Sequence, residues 1–326
     1  MYRYLFVLFF YCSWLPALQA QEIRREDFFI ADDYARDVGP MKDLNLGTIV
    51  DSLSKKCTSD QQKIRELLVT RTFYYWLGHN ISFDVKAYHH PQQNAGSASA
   101  ALMERQATSE GFANLFKAMC DLAHIDCEVV TGVYRRSIND IGNFDADKRH
   151  FWNIVQIDGS KFLMDASLGA GITDEAVRHF DPTFSDAWWL ANRLCFALMH
   201  FPDDNSKQLL ELPVTKAEFT QAPLIHGGAT ISGLIPAKSI KGTLRGREDT
   251  SIQIKCNPQR PIHSISLSYD GAEKKPAVFK AGEYGFWITI PYGPAGEHRI
   301  DLYANDKLAF TFKTDVRPAP KKDHGN

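Results

Sequence analysis

Ser109, His150 and Asp165 are the side chains whose types and order in this chain could carry acyl-transfer chemistry. That chemistry needs a nucleophile at the mouth of a helix, a base within hydrogen-bond reach, and a third group that fixes the tautomer of the base. Phe112, Leu115, Phe116, Met119, Cys120 and Ala123 recur on one helical face, with Thr108 or Ser109 near the cap, so Ser109 falls at a helix N-terminus. His150 opens the apolar run 150–157, and Asp165 ends the run 161–165. Between them Asp158-Gly159 is a hairpin dipeptide. Two adjacent antiparallel strands are therefore predicted, with position 150 opposite roughly 167. Asp165 then lies on the same face two positions off, within side-chain contact.

Each of these residues has a plainer role when taken alone. A serine at a helix start commonly caps it. His150 is one of 11 histidines, and Asp165 could cap a turn. Their order lifts them above that background. Trp152 and Asn153 are expected to support the fold, and Trp188-Trp189 to pack in the core at a helix start. His89-His90 has no second ligand pair at a usable spacing, so no metal is expected. No loop of spaced acidic residues suggests calcium, and no cofactor is expected.

The elements that must position these residues follow from periodicity. Thr58 to Gln61 has a capping-box pattern and leads into an amphipathic helix to about Gly78. Residues 86–97 have turn chemistry and no period, which predicts a loop. Strands are predicted over 128–134, 151–157 and 161–165, and a further helix over Asp186 to Phe201. A linker is expected around Pro223 to Gly233. Beyond it the period becomes two, at Ile252/Ile254/Cys256, Ile265/Leu267/Tyr269, Phe286/Ile288/Ile290, Ile300/Leu302/Ala304 and Leu308/Phe310/Phe312. Those short alternating strands predict a small immunoglobulin-like β-sandwich behind an α+β domain.

Three segments together resemble the Cys, His and Asp signatures of the transglutaminase-like superfamily. Glu110, Gly111, Phe112 and Ala113 match the residues that follow its nucleophile, with Ser109 in place of the Cys. His150-Phe151-Trp152-Asn153 resembles the His strand, and Asp165-Ala166-Ser167 with Gly169 and Gly171 the Asp strand and its glycine exit. Upstream, Tyr75-Trp76-Leu77 followed by Ile81 to Asp84 fits the same fold. His200 to Asp204, followed by Gln208 to Leu210, resembles the extension of the kyphoscoliosis-peptidase-like branch. The likeness covers about Lys63 to Pro223. It implies a papain-like core in which Ser109 holds the nucleophile position, His150 the base and Asp165 the orienting carboxylate. A thiol near pKa 8.5 is readily converted to thiolate by a histidine and a helix N-terminus. A serine hydroxyl is far less acidic, and a helix dipole worth ~0.3 to 1 kcal/mol does not make an alkoxide of it.

The chain has 326 residues, 44% hydrophobic and 23% charged, with a formal net charge of -2. That composition is globular, and its charge gives no field to attract nucleic acid. Arg3, an apolar run from Tyr4 to Leu15, Pro16 and the exit to Ala20 form a secretory-signal pattern with cleavage after Ala20, after which no stable membrane insertion is expected. After cleavage five cysteines remain, too few and too odd for a disulfide scaffold. Cys120 and Cys127 are either a bridged pair or two small buried residues. The expected boundaries are a signal over 1–20, a lead-in over 21–56, a transglutaminase-like domain over 57–223, a linker over 224–232, a sandwich over 233–315 and a disordered tail over 316–326. The expected destination is periplasmic or secreted. Two functional readings stand: a degenerate member that binds a peptide or cell-envelope protein in its cleft, and an active Ser-His-Asp hydrolase or acyltransferase on amide or ester bonds. A purely structural, adhesin-like role is the third.

Overall fold

The computed structural model describes residues 28–91, 96–282 and 285–320. The signal pattern over 1–20 and residues 321–326 of the tail lie outside them. Three helices open the described chain: α1 (Phe29–Val38), α2 (Leu46–Ser54) and α3 (Gln62–Asn80). The capping box expected at Thr58 does not form. Ser59 Oγ instead accepts the Gln61 N–H at 3.1 Å, and α3 starts at Gln62. Nearly every residue of α3 from Leu67 to Gly78 is buried, so it is a central helix rather than one with a single apolar stripe. Arg71 ties it to its surroundings. Its guanidinium donates to both Asp32 oxygens at 2.6 Å and to Asp186 at 2.5 Å, joining α1 and α3 to the stretch after residue 185.

β1 (Ser82–Phe83) pairs in parallel with β2 (Gln106–Ala107), which delivers the chain to the start of α6 (Ser109–Leu122). Between them lie α4 (Val85–His89) and α5 (Ala98–Glu104). The loop expected over 86–97 thus begins as a helix, because Asp84 Oδ1 accepts the Ala87 N–H at 2.8 Å and caps it. The main sheet of this domain is antiparallel, in the order β5 (Ser160–Met164), β4 (Arg149–Ile157), β3 (Cys127–Tyr134), β8 (His200–Pro202). Asp158 and Gly159, with φ of 48° and 75°, form the two-residue turn between β4 and β5. After β5 come α7 (Ala166–Ala170) and a small hairpin of β6 (Ile172–Thr173) with β7 (Phe180–Asp181).

The single helix expected over 186–201 is instead a 3₁₀ turn at Asp186–Trp188, then α8 (Arg193–Ala197), then β8. Trp188 O accepts the Asp165 N–H, and Ala191 N–H donates to Leu163 O, both at 3.0 Å. These bonds dock the segment along the end of β5 and use backbone groups that a continuous helix would need. Asn192 then caps a fresh start, accepting from Leu194 and Cys195.

Residues 224–232, expected as a linker, form β9 (Leu224–Ile225) and α10 (Gly227–Ser232), preceded by α9 (Lys216–Gln221). β9 pairs with the last strand, β18 (Lys307–Arg317). α10 comes so close that a Cβ on Gly228 would stand 2.1 Å from Leu308 O. The sandwich strands are β10 (Leu234–Pro236), β11 (Thr243–Arg247), β12 (Ser251–Pro258), β13 (Ile265–Tyr269), β14 (Lys275–Pro276), β15 (Phe279–Gly282), β16 (Gly285–Pro291) and β17 (Gly296–Ala304), with β18. One sheet runs β10-β12-β16-β15 and the other β11-β18-β17-β13-β14. β11 runs parallel to β18 while the other pairings are antiparallel, so the first strand region is shared between both sheets in immunoglobulin-like fashion.

The papain-like sheet lies between two apolar layers. Val155, Ile157 and Met164 share a core with Phe112, Leu115, Phe116 and Met119 of α6. Val130, Trp152, Ile154 and Leu163 share a second core with Trp188, Phe196 and sandwich residues such as Ile254, Leu302 and Phe310. The sandwich is therefore built onto the back of the sheet that carries the candidate site.

Candidate active site

Asp165 sits at the N-cap of α7 with no solvent exposure. Four donors surround its carboxylate. Oδ1 accepts from Ser167 Oγ at 2.6 Å and from the Leu168 N–H at 3.1 Å. Oδ2 faces His150 Nε2 at 2.6 Å and His200 Nε2 at 3.1 Å. Burial works to raise this carboxyl, but the charge of His150 and the hydrogen bonds from both imidazoles outweigh it and hold Asp165 well below the ordinary carboxylate range.

His150 reaches Asp165 through the hairpin register. Asn153 pairs with Met164 and Ile157 with Ser160, which puts 150 opposite 167 when the same register is continued. A carboxylate can only accept, so the contact at Nε2 places a proton on that nitrogen, and it is Nδ1 that carries the lone pair whenever the ring is neutral. That is the tautomer a general base needs. On the neighbouring strand Tyr134 packs its ring 4.8 Å from His150 and 4.9 Å from His200.

His200 is the group that residue-by-residue reading left without a role. Its Nδ1 lies 3.2 Å from Phe196 O, and its Nε2 faces the same Asp165 oxygen as His150. Both neighbours are acceptors, so a neutral ring can satisfy only one. The ionised carboxylate is the stronger acceptor of the two, which favours the His200 proton on Nε2. Burial pushes this imidazole down to about 4 despite the pull of Asp165. The Phe196 ring stacks on it at 3.8 Å. The signal in the sequence was the 200–204 segment, but only the pairing of β8 with β3 brings it beside the hairpin.

Ser109 is the first residue of α6, with Thr108 at the N-cap, and is 7% exposed. It lines one small cleft with Phe83, Tyr88, Tyr134, Arg136 and His150. The room for water beside Ser109 is about 30 Å³, enough for about two ordered waters or one small polar group. Among the described residues, Ser109 Oγ makes no hydrogen bond to His150 or to any other side chain. Asn153 belongs to the opposite face of β4, where its Nδ2 donates to Ala113 O at 3.0 Å and anchors α6 to the sheet. Trp152 is buried in the core shared with the sandwich. Cys120 and Cys127 are unbridged, as are Cys57, Cys195 and Cys256.

His150, Asp165 and His200 are also the three described residues whose ligand atoms cluster tightly enough to consider a metal. Their separations of 2.6 and 3.1 Å are hydrogen-bond contacts.

Residues 49–165 match the core of the transglutaminase-like superfamily. The chain is similar to the kyphoscoliosis peptidase of Homo sapiens, 23% identical over 88% of this chain and 42% of that protein. It is similar to the kyphoscoliosis peptidase of Mus musculus, 26% identical over 79% of this chain and 38% of that protein. It also resembles Hillarin of Drosophila melanogaster, 24% identical over 89% of this chain and 38% of that protein. The chain thus spans about two fifths of the length of these relatives.

Proposed function

For this chain, which belongs to the transglutaminase-like superfamily and its kyphoscoliosis-peptidase-like branch, we propose an exported binding protein. Its cleft takes a peptide or a cell-envelope protein, and its acyl-transfer chemistry is degenerate. The observation that carries this reading is the contrast across the cleft. The acid-base pair is fully formed, with His150 Nε2 at 2.6 Å from Asp165, while Ser109 Oγ has no bond to the base. A thiolate and an imidazolium are separate ions and work across a longer gap. A serine must lose its proton to the base as it attacks, and that needs a direct hydrogen bond. Export rests on the residue pattern of 1–20.

One feature favours the second reading, an active Ser-His-Asp hydrolase or acyltransferase: the His150 tautomer leaves Nδ1 free to act as base. Turnover decides between them. Hydrolysis of casein and incorporation of a dansylated amine are measured for the natural chain and for Ser109→Ala. The binding reading expects no difference above background, whereas activity that vanishes in Ser109→Ala contradicts it and establishes the hydrolase. Export is checked by intact-mass analysis of the protein recovered outside the cytoplasm, where an N-terminus at Gln21 is expected and a retained Met1 contradicts it.

A further inference from the structure

We propose that Arg136 is a carboxylate-recognition residue of this cleft, so that the bound peptide presents an acidic group beside Ser109 and His150. The inference rests on the binding reading above and names the chemistry of its ligand. Two consecutive arginines on the chain after β3 make the argument. Arg135 is buried and structural, its guanidinium donating to the carbonyls of Leu198, Ala222 and Pro223 at 2.6 to 2.8 Å where the two domains join. Arg136 lies along the cleft with Ser109 and His150. Its guanidinium stands 4.8 Å over the Tyr88 ring and 5.8 Å from that of Tyr134, the same ring that packs on His150. Its Nε, like that of Arg135, is buried without a hydrogen-bond partner, but unlike Arg135, Arg136 has no carbonyl bonded to its other guanidinium nitrogens among the described residues.

No carboxylate pairs with Arg136 among the described residues. The neighbouring acids are committed elsewhere. Asp140 Oδ2 accepts the backbone N–H of Arg136 and of Ser137, and its Oδ1 pairs with Lys148. Glu175 holds Ser137 Oγ and Arg299. An always-charged planar fork, fixed in plane by aromatic neighbours and lacking an internal anion, is matched by a carboxylate that offers two acceptors side by side. The two tyrosine rings stand within cation–π range of the guanidinium and leave its charge unneutralised. Two sources share this chemistry: the C-terminal carboxylate of a peptide, and an Asp or Glu side chain within one.

The test is retention of a positional-scanning hexapeptide library by the immobilised full chain, with the library made once as free acids and once as C-terminal amides. Acidic peptides are expected to be enriched about tenfold or more over their neutral counterparts, the scale of a charge-assisted hydrogen bond. Enrichment confined to the free-acid library identifies the terminal carboxylate. Enrichment of Asp or Glu at an inner position in both libraries identifies the side chain. In Arg136→Gln, checked for an unchanged melting transition, the ratio of acidic to neutral retention is expected to fall to about one. Arg136→Lys, which keeps charge without the fork, is expected to restore part of it. Peptides retained with no acidic preference, or a preference that survives Arg136→Gln, overturn this inference and leave the cleft as a peptide site. A library of which nothing is retained overturns both this inference and the binding reading.

Discussion

The two sides of the cleft are finished to different degrees. On the His150 side the carboxylate is fully satisfied: Asp165 receives four donors, both imidazoles turn Nε2 towards it, and Tyr134 packs against both rings. On the Ser109 side the serine hydroxyl makes no hydrogen bond among the described residues, and the Nε of Arg136 is buried without a partner. Buried polar groups are normally satisfied, and exceptions point to a ligand or to lost chemistry. The acid-base half is integral to the fold, whereas the opposite half presents a serine hydroxyl and a cation with no internal anion.

Breaking the finished side has the largest expected effect. Asp165→Ala removes the acceptor of two buried histidines and the cap of α7, and is expected to cost about 3–5 kcal/mol in urea unfolding. A loss below about 1 kcal/mol would show that the cluster is incidental. Arg71→Met is the control from the rear of the domain. It deprives Asp32 of its cation and is expected to cost about 3 kcal/mol, with no effect on cleft ligands.

Acid weakens the same side. His200 is held at about 4 in the fold against ~6.5 in an unfolded chain, so between those values the unfolded state binds the proton that the folded state refuses. Stability is therefore full above ~6.5 and falls as pH drops towards 4, by up to about 1.4 kcal/mol per pH unit from His200, with His226, also held at about 4 by desolvation, adding to the loss in the same range. Asp165, depressed in the fold, continues the loss as pH falls below ~3.9. Denaturant midpoints measured from pH 7.5 to 4 check this, and a flat profile for the natural chain contradicts it. The smallest effect belongs to the unfinished side. Ser109→Ala removes a hydroxyl that bonds nothing, and is expected to change stability by less than about 0.5 kcal/mol.

Much of the finished side was legible in the sequence because it is local. Asp158-Gly159 forms the two-residue turn, and the register that follows from it carries His150 to Asp165. The period-two residues of the C-terminal region likewise fall on the inward faces of β12, β13, β16 and β17, as the burial of Ile254, Leu267, Ile288 and Leu302 shows. What was hidden depends on distant parts of the chain. His200 reaches Asp165 only because β8 pairs with β3, and the break in the 186–201 stretch comes from backbone bonds to Leu163 and Asp165. Arg135 and Arg136 look equivalent in sequence, yet one is spent on three carbonyls and the other faces the cleft. The β9 and α10 segment reads as a linker because its partner, β18, lies more than eighty residues away.

If the cleft is a catalytic frame lacking only sulfur, a thiol at position 109 restores its reactivity. The most direct test compares the natural chain, Ser109→Cys, and Ser109→Cys combined with His150→Ala, for iodoacetamide labelling at position 109 by peptide mass mapping at pH 6 and for casein hydrolysis. Ser109→Cys is expected to be labelled rapidly at pH 6, where an ordinary thiol is almost wholly protonated, to gain measurable hydrolysis, and to lose both when His150 is removed. Labelling no faster than that of an ordinary thiol, or labelling indifferent to His150, would contradict it.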